Sequence, residues 1–214
     1  MNFIGHATVA LWRRSEPAFV LGSMLPDFAG MARARLAHGL EHSGDPRLDA
    51  IVDGIALHHR TDDVFHGAPQ FVTLLQETLD ELASRGIARG TARAVGHVGV
   101  EMFIDGELVR DPQVASTYTE ALTAGNELTE LFVDLDGSAR WELLRQRLIV
   151  YGAPYDYRNP DAVLARLQLM LRGRPRLAIA DSALPILRRA LPALQRKVST
   201  QLPSILDLLR AQLA

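Results

Sequence analysis

Residues 54–66, GIALHHRTDDVFH, constrain this chain more than any other stretch. Each residue of an α-helix advances about 100° around the axis. His58, Asp62 and His66 therefore fall on one stripe, with His59 and Asp63 on a second stripe beside it. Residues 97–105, HVGVEMFID, repeat the arrangement with His97, Glu101 and Asp105. Two helices that each turn an acid–imidazole stripe inward are what a metal ion held between helices requires.

No segment alternates with period two for long enough to predict a sheet. Neither an internal repeat nor a clear linker interrupts the 214 residues. The expected architecture is all-α, a single-domain helical bundle over residues 1–214 with a metal site between helices. The chain has no cysteine, which excludes disulfides, thiolate catalysis and cysteine-bound zinc. A metal here must be held by imidazole and carboxylate, a donor set that suits manganese or zinc, and also iron or magnesium. The net charge of −2 gives no global attraction to nucleic acid, and none is expected as a partner. No run of 18 apolar residues predicts a transmembrane span. Residues 1–17 lack the order of a secretory signal, so the expectation is a cytoplasmic chain starting at or near Met1. Oligomeric state leaves no trace in the sequence.

Taken in order, residues 2–14 read as a helix capped by Asn2, with His6 in its first turns. A lone histidine there also suits a core or capping role. In AFVLGSMLPDF, Gly22 and Pro26 predict a bend with Asp27 at its exit. An aspartate between Leu25 and Phe28 either caps the next helix or ligates a cation, since burying it ionised and alone is costly. His38 and His42 lie in a stretch broken by Gly39 and Ser43–Pro46 and read as surface residues, with an extra ligand as the other reading.

Helices are expected over 47–65, 70–85, 89–110, 112–124, 126–150 and 161–172. Asn126 and Ser138 are expected caps, and Asn159 caps the last of these helices before Pro160. Gly96 and Gly99 flank His97 and permit close approach of another helix or a ligand. The tail from Arg166 to Ala214, with nine basic and two acidic residues, reads as two helices broken at its prolines. A membrane-surface role is its alternative reading.

His58–Asp62 and His97–Glu101 each put an imidazole and a carboxylate one turn apart, able to reach one ion. The alternative is a set of buried hydrogen bonds that orders the bundle. With no phosphate-cradling glycine loop and no serine elbow, the remaining chemistry is that of a bound cation. It lowers the pKa of water and neutralises charge on a phosphoryl oxygen. Hydrolysis of a phosphate ester is the expected reaction. His59 or Asp63 would be the general base or orient a ligand, and Arg60 would bind a phosphate oxygen.

The opening MNFIGHATVA resembles the M-N-F-x-x-H start of the acyl carrier protein phosphodiesterases. LGSMLPDF resembles their G-N-x-L-x-D-F, GIALHHRTDD their G-I-x-x-H-x-x-x-D, and RGRPRL a late R-P-R-L. EMFIDGEL stands where they have D-x-x-x-D-H-x-L. That family is all-α, distantly related to HD-type phosphohydrolases, and releases 4′-phosphopantetheine from carrier protein with manganese. The resemblance implies a polar core of His6, Asp27, His58, Asp62 and Asp105, and acyl carrier protein as partner. His59, His66, Glu101 and Gly106 depart from the pattern. The extra histidines resemble a second group, the zinc-dependent phospholipases C and single-strand nucleases. His6, Asp27, His38 or His42, His58, Asp62, His66, His97 and Glu101 follow its ligand order. That resemblance implies two or three zinc ions. A third reading is non-catalytic, a helical metal-binding or scaffold protein.

Overall fold

The computed structural model describes residues 1–214, and the chain is all-helical. Nine α-helices follow in order: α1 Phe3–Leu11, α2 Pro17–Ala32, α3 Pro46–Gly67, α4 Pro69–Ser84, α5 Arg89–Leu108, α6 Pro112–Thr123, α7 Leu135–Tyr151, α8 Pro160–Leu171 and α9 Leu184–Leu213. The only β pairing is one isolated bridge between Leu36 and Phe132. No helix is long and apolar enough to cross a membrane.

The helices gather into two compact units. One comprises Met1–Asp63, Leu108–Pro154 and Gln212–Ala214. In it α1 packs on α2 and α6, and α2 also packs on α7. Phe28 anchors the core: its ring stacks on Phe3 at 4.6 Å and on Trp141 at 5.8 Å, with the edge of Tyr118 at 6.4 Å. Trp141 Nε1–H, buried with its ring, donates to the Gly125 carbonyl at 3.0 Å. That bond removes the cost of burying an indole donor.

The second unit comprises Val64–Glu107 and Tyr155–Ala211, with the last turn of α3 and α4, α5, α8 and α9. α4 buries Phe71, Leu74, Thr78, Leu79 and Leu82 at helical spacing. Gly86, with φ +89°, follows its end. Gly96 and Gly99 bring neighbours close to α5. A Cβ on Gly96 would stand 3.3 Å from Thr78, and one on Gly99 would stand 3.4 Å from Leu194. Asn159 caps α8 by accepting from the Asp161 N–H at 2.9 Å.

Three elements differ from the sequence reading. The chain does not leave the helix at Gly22 and Pro26; α2 continues through Pro26, and Asp27 lies inside it. Ten of its 16 residues are buried. Their packing outweighs the ~3 kcal/mol that an internal proline costs. The tail is a single helix, with Pro192 and Pro203 inside α9. Leu187, Leu191, Leu194, Val198, Leu202, Ile205 and Leu209 form one unbroken buried stripe, which holds the axis continuous across both prolines. α7 starts at Leu135, not near Asn126. Its cap is Asp134, which accepts from the Gly137 N–H at 2.5 Å. Asp134 followed three residues later by Gly137 is a weak start signal, and the apolar periodicity from Trp141 onward obscured it.

Candidate metal centre

In the first unit, α1, α2 and α3 each supply one side chain to a common point. Ligand atoms of His6, Asp27 and His58 all lie within 4.8 Å of one another. Asp62 joins them: its carboxylate is 3.3 Å from His6 Nε2 and 3.5 Å from His58 Nε2. His6 Nε2 lies 3.9 Å from Asp27 Oδ2. The α-amino group of Met1 donates to Asp62 Oδ1 at 2.5 Å. Both imidazoles are buried, while the two carboxylates keep about 30% of their side-chain surface open. The group therefore combines two buried imidazoles with two carboxylates whose side chains are partly open to water.

His58 has a defined orientation. Its Nδ1–H donates to the Ser23 carbonyl at 2.9 Å, because a carbonyl can only accept. The proton is thereby fixed on Nδ1, and Nε2 carries a lone pair toward Asp62. This is the usual arrangement of a metal-ligating histidine, with the second nitrogen bonded to a backbone carbonyl. The His6 and His58 rings stack with centroids 4.0 Å apart and 21° between planes. Burial, and then the charge of His6 beside it, push the His58 pKa down from 6.5 to about 3. The ring is neutral at physiological pH, as a ligand must be. At Asp62, burial raises the carboxyl pKa, but the hydrogen bond from His6 and the Met1 ammonium outweigh it. The carboxyl stays well below the usual range.

A second group forms in the other unit. His66, at the end of α3, and His97 on α5 both point Nε2 at Glu101 Oε1, each at 3.2 Å. Their ligand atoms also lie within 4.8 Å of one another. Glu101 is one turn beyond His97 on α5, so one helix supplies two members. The His66 and His97 rings lie 5.1 Å apart, and the edge of Phe71 packs against both at 5.3 Å. Burial works against the Glu101 charge, yet hydrogen bonds from His66 and His97 hold its carboxyl well below the ordinary range. Both histidines are a little over one-third exposed.

The sequence-predicted ligands thus divide into two groups rather than forming one list. Asp105 belongs to neither group and is fully buried on α5. His59, Arg60 and Asp63 are exposed on α3, and the His59 ring meets the edge of His58 at 5.4 Å. His38 is exposed in the loop between α2 and α3, and His42 Nε2 lies 3.1 Å from Asp53, away from either group. Two participants escaped the sequence reading, the Ser23 carbonyl and the Met1 amine. Backbone groups carry no residue-type signature. The one trace of Ser23's role is the small pair Gly22–Ser23 facing Gly54.

Carboxylates and imidazoles around one point are the donor set of a borderline divalent cation such as zinc or manganese. Both groups fit such an ion by chemistry and by reach. No family model, no curated protein and no solved structure matches this chain.

Proposed function

We propose that this protein is a metal-dependent phosphodiester hydrolase whose centre is His6, Asp27, His58 and Asp62. The observation that carries the reading is the convergence of His6, Asp27 and His58 within 4.8 Å, with His58 already held as a neutral ligand by Ser23. A bound divalent ion supplies Lewis acidity toward a phosphoryl oxygen and a lowered pKa for water. The chain's own residues do the rest. His6 and His58 bring buried nitrogen donors, and Asp27 and Asp62 bring negative charge. His59, exposed beside His58, accepts a proton, with Asp63 next on the same face to orient or replace it. Arg60 binds a phosphate oxygen through its planar fork.

Two substrate classes follow from the two resemblances. The motifs of α1, α2 and α3 favour release of 4′-phosphopantetheine from an acyl carrier protein. The His66–His97–Glu101 group favours a zinc-dependent phospholipase C-like or nuclease-like enzyme, because the carrier-protein pattern accounts for neither of its histidines. Metal analysis of purified protein, with turnover of bis-nitrophenyl phosphate, holo carrier protein, phosphatidylcholine and single-stranded DNA, tests both. About one ion per chain with release from carrier protein supports the first class. Two or more zinc ions with turnover of phospholipid or DNA supports the second. Absence of metal and of turnover after adding manganese or zinc would refute the hydrolase.

A further inference from the structure

The acceptor that orients His58 is a backbone carbonyl, so its place depends on how closely α2 approaches α3. Two glycines govern that approach. A Cβ on Gly22 would stand 2.2 Å from the Ile51 carbonyl oxygen and 2.9 Å from Ile51 Cα. One on Gly54 would stand 2.3 Å from the Phe19 carbonyl oxygen and 2.8 Å from both Gly22 Cα and Ser23 N. Every atom in the way is backbone, so no side chain can rotate aside. Ser23 follows Gly22 directly, and His58 lies one turn beyond Gly54. We propose that the Gly22–Gly54 crossing is the positioning device of this centre: it fixes His58 in its Nδ1–H form and holds Asp27 of α2 against the ligands of α3.

The distances carry the argument. Non-bonded carbon and oxygen atoms rest at roughly 3.4 Å or beyond. A methyl at either glycine therefore requires the helices to part by about 1 Å, since packed interiors have no slack. The bond from His58 Nδ1 to the Ser23 carbonyl, now 2.9 Å, would stretch to about 3.9 Å and cease to be one. The ring would then also populate the form protonated on Nε2, which cannot ligate through that nitrogen. Asp27 would withdraw with α2. Asp62 shares α3 with His58 and would stay. Gly30 supplies the control, because it lies on α2 with Gly22 and Asp27 and has nothing within 4 Å of a Cβ.

The test uses metal-free, full-length protein with 15N-labelled histidine. Ring-nitrogen shifts of His58 are read at neutral pH in the wild type, Gly54→Ala and Gly30→Ala, and zinc alone is then titrated into each. The expected wild-type ring is a single Nδ1–H tautomer. Gly30→Ala should keep it, with unchanged zinc affinity. Gly54→Ala should show mixed tautomers and at least tenfold weaker zinc binding at this group. Mixed tautomers in the wild type overturn the proposal, as does a folded Gly54→Ala that retains both the Nδ1–H form and wild-type affinity. Should Gly54→Ala not fold, the wild-type spectrum decides, a fixed Nδ1–H ring supporting the proposal and a mixture overturning it. The affinity arm rests on reading the group as a metal centre, whereas the tautomer arm does not. Wild-type protein that binds no zinc would thus sink the metal centre while the ring spectra still judge the glycines.

Discussion

At the scale of single residues, His58 concentrates the most consequence. It is 4% exposed, gives its Nδ1 proton to Ser23 and faces Asp62 with Nε2. His58→Ala empties a buried site and removes the side-chain donor from the Ser23 carbonyl. The expected loss is about 2–4 kcal/mol in urea denaturation of metal-free protein, together with loss of zinc from this group. The pH profile follows from the same burial. With the folded pKa near 3 against 6.5 unfolded, the unfolded chain binds more protons at intermediate pH. Stability is therefore full above about pH 6.5 and falls with acidification, by up to ~1.4 kcal/mol per pH unit from this group. Asp62 and Glu101 act in the same direction at lower pH, because their lowered carboxyl pKa values contribute stability that protonation removes. Urea midpoints of metal-free protein between pH 7 and pH 4 measure this, and a flat profile would contradict it. His58–Asp62 and His97–Glu101 were legible because a four-residue spacing on a helix fixes which side chains share a face, whereas His6 and Asp27 stand alone in the sequence and kept a capping or core reading beside the ligand one. Their division into two groups was not legible. It depends on which helices meet, and a stripe on one helix does not name its partner.

At the scale of elements, α3, α4, α5, α6 and α8 were legible nearly to their ends. Of these, α3, α4, α6 and α8 each begin at a proline. α2 and α9 were misread at their prolines for one physical reason. Local sequence registers the missing N–H and the ring clash, while the compensating burial comes from residues far along the chain. Pro203 makes this measurable, since it is exposed while its neighbour Leu202 is buried. Its ring contributes no core packing, but its helix cost remains. Pro203→Ala should raise stability by about 1–3 kcal/mol in urea denaturation without changing metal binding. An unchanged or lowered midpoint would mean that α9 depends on the proline geometry.

At the scale of the whole molecule, a bound ion is a folding ligand. It binds the assembled donors far better than the unfolded chain, so metal and stability are linked. With zinc or manganese at about 100 times its dissociation constant, the gain is about 2.7 kcal/mol. For a chain of this length that raises Tm by roughly 5–10 °C, and a chelator should reverse it. A thermal melt insensitive to zinc, manganese and chelator would speak against both groups as metal sites.

One helix carries that linkage to its limit. α1 has nine residues, and Phe3 through Ala10 are all buried. A helix so short has no stability of its own in water. Its amides should therefore exchange with deuterium only when the surrounding unit opens as a whole, at the slowest rates in that unit. His6 rides on this segment, so an ion held at this group would not be released by fraying of a single helix while its neighbours stay folded. Fast exchange across residues 3–10 would instead reveal a hinged doorway into the centre.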